Sequence, residues 1–258
     1  MIPFVVIALF STLALAAPAR AAQPLITDDT GTQGRGGQQV ELSQSSERAS
    51  QAGLRSRSRA SGLTYTFGVS EQADVFLGTS FLGLRPANSA PTSGWGSTVL
   101  GAKWRLWDLE SSKISLAIKP EWIMPVSGAR ESSELGVGKA SYALTLIATQ
   151  EVPFGAIHLN AQMGRDRFRN AQDNERHQRL SVASVWDVSV SFKLALDLGQ
   201  QTVRRQEGAA LRSRFVEIGT IYSPSKSQDW ALGLIRSSDN DSPQSTSNTL
   251  TGGWTLRF

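Results

Sequence analysis

The sequence contains no cysteine, which excludes a disulfide framework, a thiolate metal site and a cysteine nucleophile. Histidine is scarce, with two in 258 residues, so a histidine-built metal or catalytic centre has little material. After residue 22 no stretch of about 18 apolar residues occurs, and hence no helical membrane span. Charge is not massed either. The 26 basic and 22 acidic residues are interspersed, for a net charge of +4. A nucleic-acid binder gathers Lys and Arg on one face or arm, and no such partner is expected here. The mean hydropathy of −0.19 leaves a β-barrel open. Strands that alternate lipid-facing and lumen-facing side chains hide their apolar surface from any average.

The first residues read as a targeting segment. An apolar run, IPFVVIALFSTLALAA, precedes Pro18-Ala19-Arg20-Ala21, which ends in a small-residue cleavage pattern. Residues 1–21 are therefore expected to be a secretory signal peptide, although no Lys or Arg precedes the apolar run. The alternative, an N-terminal anchor, is disfavoured because the run is short for a stable span.

Beyond this segment the chain is strand-period almost throughout. In residues 188–198 every even position is apolar (Val188, Val190, Phe192, Leu194, Leu196, Leu198), while odd positions are small or charged. Successive side chains of a strand point to opposite faces, so one face is apolar and the other carries Lys193 and Asp197. Leu100, Ala102, Trp104 and Leu106 oppose Lys103 and Arg105. Ile114, Leu116, Ile118 and Trp122 oppose Lys119 and Glu121, and Ile157, Leu159 and Met163 oppose His158 and Asn160. About 12 such runs are present, near 37–48, 58–70, 72–84, 96–108, 112–125, 139–151, 155–165, 178–187, 188–199, 211–223, 228–237 and 247–258.

Short connections, such as Ser70-Glu71-Gln72 and the step at Asp187-Val188, alternate with long polar ones near 49–57, 85–95, 126–138, 166–177, 200–210 and 238–246. Outer-membrane barrels show this asymmetry of short periplasmic turns and long external loops. The expected fold is all-β: an antiparallel transmembrane β-barrel of about 12 strands over residues 37–258, both termini periplasmic, in a Gram-negative outer membrane. A soluble β-sandwich or lipocalin-like barrel would also alternate, with its apolar row inside. Opposed charges on one row, and Trp104, Trp122, Trp186, Trp230 and Trp254 on the other, favour the membrane barrel.

The last strand reads NTLTGGWTLRF and ends at Phe258. With Leu256 and Trp254 on the same face, it resembles the C-terminal signal that the barrel-assembly machinery recognises.

The segment Pro24-Leu25-Ile26-Thr27-Asp28-Asp29-Thr30-Gly31-Thr32-Gln33-Gly34-Arg35-Gly36 resembles the mature N-terminus of a family of bacterial outer-membrane barrels. These are labelled transporters or proteins of the phenol meta-degradation pathway. The resemblance implies a pore-like protein passing small hydrophobic or aromatic solutes, without catalytic residues or cofactors.

From the residues themselves, 22–36 form a flexible acidic lead-in. It reads as a solvated periplasmic turn in preference to a plug in which Asp28 and Asp29 pair with Lys103 or Lys193. Two aspartates supply too few ligands for a calcium site, and no metal is expected. Lumen-facing candidates are Lys103, Arg105, Lys119, Glu121, Lys193 and Asp197. Arg55, Arg57 and Arg59 share parity with Leu63, so they project outward, either to lipopolysaccharide phosphates or as a solvated loop. Expected partners are outer-membrane lipid, lipopolysaccharide, the assembly machinery through Phe258, and small hydrophobic solutes. The rival readings are a closed barrel that braces the envelope and an outer-membrane lipid hydrolase or deacylase built on His158, or on His177 with Ser181. Such chemistry requires hydrogen-bond reach between Ser and His, an orienting acid and oxyanion donors, and nothing resembling the known barrel-hydrolase motifs accompanies either histidine.

Overall fold

A computed structural model describes residues 24–109, 111–206, 208–240 and 244–258. The expected signal peptide, residues 1–21, lies outside the described residues. The chain runs β1 (Gln38–Gln51), β2 (Leu54–Ser70), β3 (Ala73–Arg85), β4 (Thr92–Trp95), β5 (Val99–Leu109) and β6 (Ile114–Ile123). A short helix α1 (Gly128–Ser132) precedes β7 (Lys139–Val152) and β8 (Gly155–Arg167). The remaining strands are β9 (Glu175–Ser189), β10 (Phe192–Arg204), β11 (Leu211–Ser225), β12 (Gln228–Asp239) and β13 (Ser245–Arg257).

Each long strand pairs antiparallel with its sequence neighbours, and β1 pairs with β13, closing a 12-stranded barrel. β4 is a four-residue strand that continues the pairing of β3 above the point where β5 leaves it. The seam is completed at the chain ends, where Gln38 N donates to Phe258 O at 2.9 Å and Phe258 N donates to Gln38 O at 3.0 Å. Closure leaves the twelve long strands paired on both sides among the described residues, the condition for β structure in a lipid medium.

The barrel is built inside out relative to a soluble sandwich. Leu42, Leu63, Leu77, Leu159, Leu180 and Leu234 are all exposed on its outer face. Thr64, Asp74, Lys119, Thr149, Asn160 and Glu217 are buried inside it. An apolar exterior this continuous matches lipid rather than water. No described helix is long and apolar enough to cross a membrane, which has no bearing on strands.

Three local readings need correction. Residues 49–57 are not a long loop: β1 and β2 run on to a two-residue turn at Ala52-Gly53, whose φ angles of 50° and 80° suit a tight hairpin. Arg55, Arg57 and Arg59 therefore sit on a strand, because the RSRSR repeat keeps strand alternation in polar letters. The turn expected at Asp187-Val188 falls at Val190-Ser191 instead. The valine alternation continued through that turn, and nothing in hydrophobicity alone marks where such a pattern reverses. Finally, the stretch expected as loop 85–95 contains β4.

Candidate functional site: the barrel interior and its N-terminal segment

Residues ahead of β1 do not form a solvated turn. They enter the barrel, and Leu25, Thr27, Asp28 and Thr30 are buried there. An extended segment inside a closed barrel cannot pair with strand backbones, whose hydrogen bonds are already used. Its own backbone groups must be met by side chains. They are. Ile26 N donates to Glu217 of β11 at 3.2 Å, and Thr27 N donates to Asp197 of β10 at 2.7 Å. Asp28 N donates to Asn160 Oδ1 of β8 at 2.7 Å, and Asn160 Nδ2 donates back to Asp28 O at 2.8 Å. Thr30 N donates to Thr149 of β7 at 3.2 Å, and Gln33 N donates to both oxygens of Asp74 of β3 at 3.1 Å.

The centre of this arrangement is Asp28. Its carboxylate accepts from Lys103 Nζ at 2.8 Å and from Lys119 Nζ at 2.6 Å. Burial alone would push this carboxyl upward. The two ammonium groups more than offset that effect and leave its pKa at about 2. Lys119 also stands over the Phe76 ring, 5.3 Å from its centroid, a cation–π contact. Lys103 further donates to Asp29 O at 3.1 Å, with the Asp29 carboxylate 3.9 Å away. Thr27 Oγ1 donates its one proton to Asp197 Oδ1 at 2.7 Å and accepts from the Ser181 hydroxyl, also at 2.7 Å.

Glycines admit the segment. Gly219 and Gly233 face each other on β11 and β12, and Pro24 packs over both. A Cβ at Gly233 would sit 2.9 Å from Pro24 Cβ and 2.7 Å from Glu217 Oε1. Where the chain leaves the interior it crosses β2, and a Cβ at Gly68 would fall 1.7 Å from Gly34 O.

The charges singled out in the sequence are thus distributed unevenly. Lys103, Lys119, Asp197 and Asp28 converge on the segment. Glu121 lies on the interior row of β6 with Lys119. Arg105 reaches Glu71 O at 3.1 Å and stands 3.5 Å from the Asp108 carboxylate, near the short turns. Lys193 does not pair with Asp197 or with the segment. It pairs with Asp187 at 2.9 Å in a half-exposed bridge, because Asp197 is turned toward Thr27. Asn160, Thr149, Asp74 and Glu217 carry much of the docking, yet none was singled out as a site residue from the sequence. Their only signal was a polar residue on an interior row.

Neither histidine hydrogen-bonds to a serine among the described residues. His158 Nδ1 is 3.0 Å from Thr149 Oγ1, and His177 Nδ1 is 3.7 Å from Asp166 Oδ2. Ser181 is engaged by Thr27. Among the described residues no group of three or more His, Cys, Asp or Glu is placed to hold a metal ion. A vestibule of 800 Å³ opens on the side of the short turns, lined in part by Thr27, Asp29, Lys103, His158, Lys193 and Arg257.

Residues 27–251 match the family model described as "Putative MetA-pathway of phenol degradation". The chain belongs to this family. The match begins at Thr27, so the interior segment is included in it from that residue on. No curated protein sequence matches the chain. Among solved structures, an outer membrane channel from Pseudomonas putida F1 superposes with a TM-score of 0.67 at 14% identity, covering 89% of this chain and 98% of that one. The beta domain of the Bordetella autotransporter BrkA gives 0.57 at 13% identity, covering 87% and 100%. CymD, described as a monoaromatic hydrocarbon channel, gives 0.51 at 10% identity, covering 87% and 89%. At these identities the likeness is one of fold, that of outer-membrane barrels.

Proposed function

We propose that this protein is an outer-membrane channel through which small aromatic solutes pass by diffusion, with the termini on the periplasmic side. The observation that carries the reading is the interior itself. A barrel that only braced the envelope could fill its lumen with packed side chains from its own strands. Here the interior rows mix Asn, Thr, Asp, Glu and Lys with apolar residues such as Phe76, Ile147 and Val185, and part of the space between them is taken by a separate peptide held through polar contacts. A segment held that way can be displaced, because water or solute can replace each hydrogen bond it gives up.

The vestibule narrows the solute class. Its lining combines Lys103, Lys193 and Arg257 with Asp29, Asp187, Asp229, His158 and threonine hydroxyls, so it offers charges of both signs and hydrogen-bond partners more than apolar wall. A hydroxylated aromatic ring suits that lining better than an aliphatic chain does. Its π face attracts cations and its hydroxyl meets polar groups. The phenol-degradation family and the aromatic-hydrocarbon channel of like fold support the same class. Catalysis is no part of this reading, since nucleophile, base and orienting acid are nowhere assembled among the described residues.

The test is single-channel recording in a planar bilayer, with the intact chain and with residues 23–36 deleted. Discrete openings that phenol reduces, more frequent after the deletion, are expected. A folded barrel that stays silent with and without the segment would exclude the channel.

A further inference from the structure

The outer face carries charges of one sign at one end. On β2, Arg57 is directly opposed by Arg48 of β1 on one side and Arg85 of β3 on the other. On β9, Arg176 is directly opposed by Arg165 of β8 and Arg204 of β10. All six lie on outward rows, toward the end of the barrel opposite the chain termini; five are exposed and Arg57 is half-buried. Arg55, Arg59, Arg212, Arg214 and Arg236 continue the same outward rows between and beside the two triads. Among the described strand residues no Asp or Glu shares an outward row. The acidic side chains of the strands face the interior, as Glu41, Asp74, Asp166, Glu175, Asp197 and Glu217 do. None of the six triad guanidinium groups forms an ion pair among the described residues.

Like charges directly opposed on neighbouring strands lie about 5 Å apart at Cβ and destabilise the pair. One such pair could be incidental to a charged rim. Two runs of three, each on adjacent strands and with no acid among them, need a counter-charge from outside the chain. The first triad adjoins a groove of 230 Å³ lined by Arg57, Arg59, Arg85, Thr92 and Ser93, which adds hydroxyl donors beside the guanidinium groups. Below it the surface turns apolar, with Phe81 set edge-on against Trp95 at 5.6 Å. A ligand that spans both zones has an anionic head and acyl chains. Arginine's planar fork matches phosphate oxygens two at a time, which favours phosphate as the anion.

We propose that Arg48–Arg57–Arg85 and Arg165–Arg176–Arg204 are two sites for a phosphorylated glycolipid of the outer leaflet. The proposal rests on the orientation under which the termini are periplasmic and the arginine end faces outward. It is independent of whether the lumen conducts.

The probe is diphosphorylated lipid A, titrated onto the detergent-purified protein and followed by native mass spectrometry. Its dephosphorylated form and phosphatidylglycerol serve as comparators. Replacing either triad by glutamine should weaken binding by about tenfold or more, as expected for losing several charge-assisted contacts. Replacing it by lysine should weaken binding less, since charge remains. Lys113→Gln with Lys226→Gln, at the short-turn end, should leave binding unchanged. Retained heat-modifiable migration shows that each variant is folded. Equal binding of all three lipids, or unchanged binding by both glutamine triads in folded protein, would overturn the proposal. Conductance in the same variants separates this outcome from failure of the channel reading, because the triads lie outside the lumen.

Discussion

Lys119 Nζ lies 2.6 Å from Asp28 Oδ2 inside the barrel, linking a residue on β6 to one that precedes every strand. Both groups are almost fully buried, with residue exposures of 3% each. Lys103 completes the site from β5, so one carboxylate is shared by two ammonium groups. That contact decides how firmly the N-terminal segment is held.

Asp28→Ala leaves two buried lysines without their shared partner. Breaking such an arrangement from one side costs about 3–5 kcal/mol. The segment is expected to leave its seat while the strands stay paired. Open-channel events should become at least several times more frequent, and trypsin should cut at Arg35 in the folded barrel. A variant with wild-type closure and no new cleavage would show that the carboxylate does not hold the segment.

The pH dependence comes from the depressed pKa. Asp28 titrates at about 2 when docked, against 3.8 for a free carboxyl. The ionised form therefore stabilises docking above about pH 4, and that contribution is lost as pH falls toward 2. The difference corresponds to roughly 2 kcal/mol. Segment release, tracked by conductance or by proteolysis with an acid-active protease, should be flat from about pH 8 to 5 and rise only below about 4. Release centred near neutrality would point to a different controlling group.

Gly233→Val places side-chain atoms where Pro24 and Glu217 Oε1 already lie. The barrel should still form, since β12 keeps its backbone pairing. Hydrogen exchange at residues 25–33 should speed up by an order of magnitude or more, while amides of β11 and β12 keep their protection. Unchanged exchange in the segment would mean that the Pro24 seat is dispensable.

Leu234→Arg separates a lipid-facing surface from a solvated one. Leu234 is 63% exposed, so in a water-soluble barrel the change would be nearly neutral. Facing lipid near mid-strand, an arginine costs about 2–4 kcal/mol. Refolding into phospholipid vesicles, measured across a denaturant series, should show that loss. Thr64→Ser, buried on the interior, should not.

Phe258→Ala, which keeps the backbone bonds to Gln38, should impair assembly in cells far more than refolding in detergent. Its side chain is 63% exposed, so it adds little to the packing of the finished barrel. Equal loss in both settings would assign the residue to stability instead of to recognition by the assembly machinery.

Strand existence, parity and the inside-out distribution were legible because they depend on a two-residue period, which survives in any letters that keep the alternation. Leu180, Val182 and Trp186 against Ser181 and Val185 already state which way β9 faces its neighbours. Turn positions were less legible. The Val188–Val190 alternation runs through a reversal, and the polar RSRSR repeat continues a strand without hydrophobic contrast. The interior site was legible only in part. Asp28, Lys103 and Lys119 stood out as charges, yet their convergence depends on closure of β1 on β13 and on the space that Gly219 and Gly233 leave.

By itself the sequence determined the barrel class, the outward apolar rows and the acidic N-terminal motif, because each is a property of local spacing. Only the tertiary structure decided where that motif goes. An isolated stretch from Pro24 to Gly36 favours water, where each of its amides is solvated at no cost. Inside the closed barrel Glu217, Asp197, Asn160, Thr149 and Asp74 meet those amides in turn, and two lysines need its carboxylate. The five acceptors and two lysines come from seven strands and are separated by up to 143 positions (74 to 217), and nothing short of the assembled lumen places them along one path.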